Sequence, residues 1–321
     1  MRVIRNLDRV MRPAAVAIGN FDGVHSGHQR VIQPILSSTC GISTVLTFDP
    51  HPREVFEEKA LPFLTPLPEK LALLEEMGIE QVVLLPFSRE FASRDPQAFV
   101  SDILERGLAA CHVSVGWDFC FGYQRSGNAD TLRAWGEVHQ IPVDIVSEWQ
   151  VVGARASSSA VRQALAAGDL VRANAILGRC YQLQGLVETG DRRGRQIGFP
   201  TANMRVSGRK VLPCDGVYGA RAYWQSREGQ TEYAIAVLNI GCRPTFSGTT
   251  RTVEVHLLDW SGDLYGRVLH VELEHFLRPE RRFAGIEELR TQLQQDCQRA
   301  RQLAPTPATS PSSPLCGSTF S

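Results

Sequence analysis

No run of apolar residues in this sequence reaches membrane-spanning length, which argues against an integral helical membrane protein. No cysteine pair stands in C-x-x-C spacing either. The eight cysteines are scattered at 40, 111, 120, 180, 214, 242, 297 and 316, which points to reduced thiols and away from a zinc site or a disulfide framework. Net charge is also missing: Lys plus Arg and Asp plus Glu both count 34. A chain without a basic excess is a poor candidate for a dedicated nucleic-acid binder, although a local basic groove stays open. The opening "MRVIRNLDRVMRP" lacks the apolar core of a signal peptide and reads as the start of the first domain. The P-loop pattern G-x-x-x-x-G-K-[ST] is absent, as is any internal repeat.

What is present divides into two rhythms, as 321 residues with 43% hydrophobic and 21% charged content allow. Up to about position 179, valine- and isoleucine-rich runs alternate with stretches of helical spacing. The runs are "AVAIGN", "ISTVLTF", "QVVLLPF", "HVSVGW" and "PVDIV"; the helical stretches include "HQRVIQPILSS" and "PEKLALLEEMG". Asp95 and Pro96 form an N-cap and first-turn pair. This alternation predicts an α/β domain over 1–179, an open Rossmann-like parallel sheet with ligands at the carboxyl ends of its strands. Over 180–303 the strand-like runs follow one another without helices, which predicts a small antiparallel β-barrel with one closing helix, "IEELRTQLQQDCQRAR". The Pro-, Ser- and Thr-rich segment 304–321 reads as a disordered tail.

The first candidate site is "GNFDGVHSGHQRVI", where a strand breaks into a helix. Gly19, Gly23 and Gly27 permit tight turns and close approach by a ligand. A helix beginning near His28 aims its unpaired N–H groups and positive dipole end at the loop. His25 and His28 could then donate to phosphate oxygens as charge develops. The plainer alternative is that one histidine caps the helix and the other is incidental. In "RASSSAVRQALAAGDL", Ser157, Ser158 and Ser159 precede a helix between Arg155 and Arg162, which suits either phosphate binding or simple capping.

The second candidate site is "GDRRGRQIGFPTAN". Gly190, Gly194 and Gly198 could let backbone amides wrap a phosphate, while Thr201 and Asn203 present hard oxygens suited to magnesium. A long hairpin loop is the alternative. Glu254 lies in "RTVEVHLLD", with Val253 and Val255 on the opposite face of the strand. A carboxylate on the inner or rim side of a barrel could take a proton from an attacking hydroxyl; a surface glutamate is the ordinary alternative.

The longer strings "GNFDGVHSGHQ", "LTFDPHPREVF", "VGWDFCFG", "ASSSAVRQALAAGDLVRANAILGR", "GFPTAN", "NIGCRPTF" and "VEVHLLD" resemble the prokaryotic bifunctional FAD synthetase family. The resemblance runs in order from about 14 to 302. It implies a nucleotidyltransferase-fold FMN adenylyltransferase domain followed by a six-stranded riboflavin kinase barrel. The implied activities are phosphorylation of riboflavin to FMN, then AMP transfer from ATP to FMN with release of pyrophosphate. The resemblance gives His25 and His28 the reacting phosphates, Asn20, Asp22 and Gly27 the shaping of that loop, and Asp118 the nucleotide or magnesium. Ser158, Ser159, Arg155 and Arg162 would hold the β and γ phosphates. In the second domain Thr201 and Asn203, with Gly198 nearby, would hold magnesium–ATP, and Glu254 would be the general base. Ala160, Ser159 and Cys120 depart from the family's common residues. An adenylyl- or cytidylyltransferase for another acceptor, and a flavin- or RNA-binding module without catalysis, are the competing readings. The expected partners are small molecules, not nucleic acid or membrane, and the expected compartment is the cytoplasm. Oligomeric state is not readable.

Overall fold

The structure is a computed structural model, and it describes residues 1–190, 193–245 and 248–304. The tail expected over 304–321 lies, from 305 onward, outside the described residues. The chain divides into two compact units, Met1–Ser158 and Ser159 onward.

The first unit is built on a six-stranded sheet of β1 (Arg2–Ile4), β2 (Ala14–Ile18), β3 (Ile42–Asp49), β4 (Gln81–Pro86), β5 (Ala110–Gly116) and β8 (Val143–Val146), in the order β1-β4-β3-β2-β5-β8. Every pairing is parallel. All five residues of β2 are buried because both sheet faces are covered, as the unbroken apolar runs require. The period-2 pleat sorts them: Ala14, Val16 and Ile18 enter one core, Ala15 and Ala17 the other. Val31, Ile32 and Ile35 of α1 (Ser26–Leu36) and Leu74 of α3 (Leu67–Glu76) belong to that second core. A short α2 (Pro52–Glu57) separates β3 from α3, and α4 (Arg89–Ala92) and α5 (Pro96–Phe99) follow β4. Asp95 caps α5 through a bond from Gln97 N–H, with Pro96 in the first turn. After β5 come the two-residue strands β6 (Cys120–Phe121) and β7 (Gly127–Asn128), then α6 (Ala129–His139). The hairpin β9 (Gln150–Val151) and β10 (Ala154–Arg155) closes the unit. Since β2 lies between β3 and β5, its carboxyl end is a topological switch point, where open α/β sheets leave a crevice.

One expectation is corrected. Cys40 and Cys111 form a disulfide, with Cα atoms 6.0 Å apart and a sequence separation of 71. Ala14 of β2 pairs with Ile42 on one side and Ala110 on the other, so register brings the two cysteines to the same end of the sheet. Spacing along the chain carries no trace of this. The other described cysteines are free thiols.

The second unit starts at Ser159, within α7 (Ser158–Ala166), and continues through α8 (Leu170–Leu177) into a closed antiparallel barrel. Its strands are β11 (Tyr181–Glu188), β12 (Ala202–Val206), β13 (Gly216–Gln225), β14 (Thr231–Thr245), β15 (Gly248–Leu257) and β16 (Val268–Arg278), in the order β11-β12-β15-β14-β13-β16. The helix pair goes with the barrel: the Asn174 side chain donates to Leu273 O at 2.9 Å and accepts from Tyr181 N at 2.8 Å. A one-turn α9 (Arg193–Gln196) precedes β12, and α10 (Ile286–Leu303) covers the outside of the barrel. There Cys297 and Ala300 pack with Val217, Val237 and Leu277. The Arg278 guanidinium reaches both carboxylate oxygens of Asp296, fixing α10 to β16 by a fork that lysine could not supply.

Candidate active sites

In the first unit, the chain leaves β2 through a turn held in unusual backbone geometry. Phe21, Gly23 and Val24 all have positive φ, and at the β-branched Val24 this is strained backbone of the kind functional sites retain. The turn is fixed from outside. Asp22 is buried and its Oδ1 accepts from Thr65 N at 3.1 Å, Gly23 N donates to Thr65 Oγ1 at 2.8 Å, and Ser158 Oγ donates to Asp22 O at 2.8 Å. Asp22 therefore shapes the loop by direct contacts.

His25 then caps α1: its Nδ1 accepts from His28 N at 3.3 Å. With Nδ1 as acceptor, the neutral ring carries its proton on Nε2. The His25 and His28 rings stack, centroids 3.6 Å apart and 20° from parallel. The two alternatives of the sequence are thus not exclusive, because capping the helix is what puts both imidazoles at its N-terminus. At Gly27 a Cβ would lie 3.1 Å from Ala156 O and 3.2 Å from the His25 ring, so close approach requires a glycine or a displacement there. At the neighbouring strand end, Arg155 bonds the Asp118 carboxylate and lies 5.0 Å from the centre of the Trp117 ring. Arg155 and Asp118 are thus paired with each other. Ser159, Ala160 and Arg162 follow on α7, in the second unit.

The "FDPHP" segment, within the string "LTFDPHPREVF", has two roles in the first unit. His51 caps α2 in a reciprocal box with Glu54, its Nδ1 accepting from Arg53 N at 3.1 Å. Burial, reinforced by the Lys70 charge, holds the His51 pKa down at about 4, so the ring is neutral at physiological pH. Beyond it lie phenylalanine rings in sequence contact: Phe56 on Phe87, Phe87 on Phe48 and Phe91, and Phe91 on Phe99, with centroids 5.5 to 6.2 Å apart. Phe56 is exposed, giving this group a face toward solvent.

In the second unit, Glu254 stands between two amides. Register pairs it with Asn203 on β12 and with Asn239 on β14. Val253 and Val255 are buried inside the barrel, which puts Glu254 on the outer face, not the inner side. Thr201 Oγ1 donates to Glu254 Oε2 at 3.5 Å. At Gly190 a Cβ would run into the Asn203 side-chain amide, so the backbone at Gly190 lies directly against that amide. Gly198, at φ 87°, turns the chain into Phe199 and Pro200, and His256 Nδ1 donates to Pro200 O at 2.8 Å. These residues border a cavity of about 500 Å³ that extends to Trp260, Cys297 and Arg301. On the other flank the Asn239 amide donates to Glu280 Oε1 at 3.0 Å, which places "RPER" beside Glu254's neighbour.

Known proteins match this arrangement unit by unit. The FAD synthetase family model matches residues 8–160 and the riboflavin kinase family model residues 177–304. The bifunctional riboflavin kinase/FMN adenylyltransferase of Escherichia coli (strain K12) is 40% identical over 308 residues, covering 94% of this chain and 96% of its own. The chain belongs to the bifunctional riboflavin kinase/FMN adenylyltransferase family. The Haemophilus influenzae member is 36% identical over 305 residues, covering 94% of this chain and 97% of its own. A crystal structure described as a macrolide-efflux protein from Streptococcus pneumoniae superposes with a TM-score of 0.85 at 28% identity, over 94% of this chain and 99% of that one. In the present family member, no helix among the described residues is long and apolar enough to cross a membrane.

Sequence reasoning missed Lys70, Asn239, Glu280 and the cavity under Phe199. For Lys70 a signal existed: it falls three residues after Leu67 and four before Leu74, on the apolar stripe of its helix.

Proposed function

We propose that this chain makes FMN and then FAD, with one reaction in each unit. The carrying observation is the pair of sites: stacked imidazoles at a helix N-terminus in a parallel sheet, and a carboxylate set between amides on a barrel wall. ATP, riboflavin and FMN are the substrates.

In the first unit, a phosphate oxygen of FMN attacks the α-phosphorus of ATP, and the bond to the leaving pyrophosphate breaks. The attacking group is already an anion, so no base is required; positioning and charge stabilisation carry the reaction. His25 and His28, with the N–H groups of α1, stabilise the charge developing on the phosphates. The phenylalanine surface from Phe48 to Phe91 suits the flavin ring of FMN. For Arg155 and Asp118 to serve the nucleotide, their mutual bond must open as it binds.

In the second unit, the attacking group is a neutral hydroxyl of riboflavin, and a base is required. Glu254 takes its proton while the oxygen attacks the γ-phosphorus and ADP leaves. The cavity bordered by Phe199, His256 and Trp260 suits the nucleoside of ATP. Magnesium fits the donor set here. The Thr201 hydroxyl and Asn203 amide oxygen are hard ligands beside a carboxylate, and such a site holds the ion jointly with phosphate oxygens. Bound there, magnesium would neutralise charge on the transferring phosphates.

We place the enzyme in the cytoplasm, which supplies ATP. Incubation with riboflavin, ATP and magnesium, followed by chromatographic separation of flavins, tests the reading. FMN followed by FAD supports it, and FMN without FAD would remove the first unit's role.

A further inference from the structure

Lys70 is a cation carried inside the first unit, 7% exposed on the buried side of α3. An ammonium out of water is costly unless something nearby compensates it. Its Nζ donates to the main-chain carbonyl of Asn20 at 2.7 Å, an oxygen that also accepts from Thr47 Oγ1 at 3.3 Å. Burial pulls its pKa down, and the carboxylates of Asp22 and Asp49 act in the opposite direction. Asp22 belongs to the strained turn ahead of α1. Asp49 ends β3 and is itself bonded by Arg5 at 2.7 Å. Lys70 therefore sits where two catalytic-side turns meet, one after β2 and one after β3. Thr65, just before α3, grips the first of these turns as well.

We propose that Lys70 is a positioning residue for AMP transfer: its ammonium clamps the Asn20 carbonyl and thereby holds the turn containing Asn20 and Asp22 against the turn containing Asp49 and His51. The inference rests on the assignment of AMP transfer to the loop ahead of α1. A neutral side chain would fill the space but would leave two carboxylates facing no cation from α3. The charge has a second consequence. His51 is faced by Lys70 from α3, Asp22 from the first turn, and Arg53 and Glu54 from its own helix. Lys70 and Arg53 oppose protonation of the ring, whereas Asp22 and Glu54 favour it. Removing Lys70 tips this balance toward the imidazolium.

The test uses the full chain with Lys70→Met and Lys70→Gln, the second keeping an N–H donor for the Asn20 carbonyl without the charge. FAD formation from FMN and ATP is measured beside riboflavin phosphorylation, and the His51 imidazole is titrated by NMR. Loss of sub-ångström positioning costs on the order of 100-fold in rate. Lys70→Met should therefore lower kcat for AMP transfer by about that factor, with the ATP KM changed far less and riboflavin phosphorylation intact. Its His51 midpoint should move up from about 4. Lys70→Gln should recover part of the kcat, while its His51 midpoint moves up as in the methionine variant. A lysine that only supports the fold would lower the melting temperature yet leave kcat per folded molecule unchanged, and that result overturns the proposal. If Lys70→Met does not fold, Lys70→Gln decides: a kcat for AMP transfer per folded molecule equal to that of the unsubstituted chain overturns the proposal. His28→Ala run in parallel separates the failures. An active His28→Ala removes the site assignment itself, whereas an active Lys70→Met beside an inactive His28→Ala removes only the role of Lys70.

Discussion

The two units meet the same reagent, a nucleoside triphosphate, with opposite equipment. The parallel-sheet unit presents imidazoles and helix N–H groups at a switch point. The barrel unit presents a carboxylate flanked by amides on an outer wall. The difference follows from the attacking group. FMN brings an anionic phosphate and needs donors around it; riboflavin brings a hydroxyl and needs a base. Glycine serves both units, but differently: Gly27 lets α1 approach the Ala156 backbone, and Gly190 lets a loop lie on Asn203.

The largest effect should come from removing the base. Glu254→Gln keeps size and polarity but cannot accept a proton at neutral pH, so FMN formation should fall by ~100- to 10,000-fold. AMP transfer from ATP to supplied FMN should be unchanged in a chromatographic flavin assay. Next comes the mirror substitution: His28→Ala should lower AMP transfer by about 100-fold or more and spare riboflavin phosphorylation. Equal damage to both activities by either variant would erase the contrast between the units.

Stability should divide the units too, since the disulfide belongs to the first alone among the described cysteines. Cys111→Ser should destabilise the oxidised first unit by about 2–4 kcal/mol, seen as a shift of one calorimetric transition with the barrel's transition unmoved. The smallest effect is one of pH. His51 is held at about 4 when folded, against 6.5 for an ordinary imidazole, so between these values only the unfolded chain takes up the proton. Stability of the first unit should therefore fall as pH drops from 6.5 toward 4. His51→Asn, which retains an acceptor for Arg53 N–H, should flatten that slope in melting-temperature measurements, and an unchanged slope would assign it to other groups.

Much of this architecture was legible beforehand. Strands buried on both faces write themselves as valine runs, and both the switch from helix-separated to consecutive strands and the closing helix followed from periodicity. The HSGH loop and the PTAN segment were visible because glycine, histidine and hard oxygens cluster there. Other features depend on closure, which no linear pattern contains. Alternation separated Glu254 from Val253 and Val255, but only the closed barrel says which face is inside. Cys40 meets Cys111 through sheet register across β2. Strand β1 has only three residues, too few to show a period. Asn239 on β14 and Glu280, just past the end of β16, come together across 41 positions of sequence.

The central claim is that each unit completes one reaction without the other's catalytic groups. Mixing the two single variants, each lacking one of the two activities, tests it most directly. Glu254→Gln given riboflavin, ATP and magnesium should yield almost no FMN or FAD, and His28→Ala should yield FMN without FAD. Combined in one tube, they should restore FAD, because FMN released by one variant is adenylylated by the other. If the mixture forms FMN but no FAD, although Glu254→Gln alone converts added FMN at the normal rate, passage between sites within one chain is obligatory. If Glu254→Gln cannot convert added FMN either, the two reactions share groups and the division between the units is wrong.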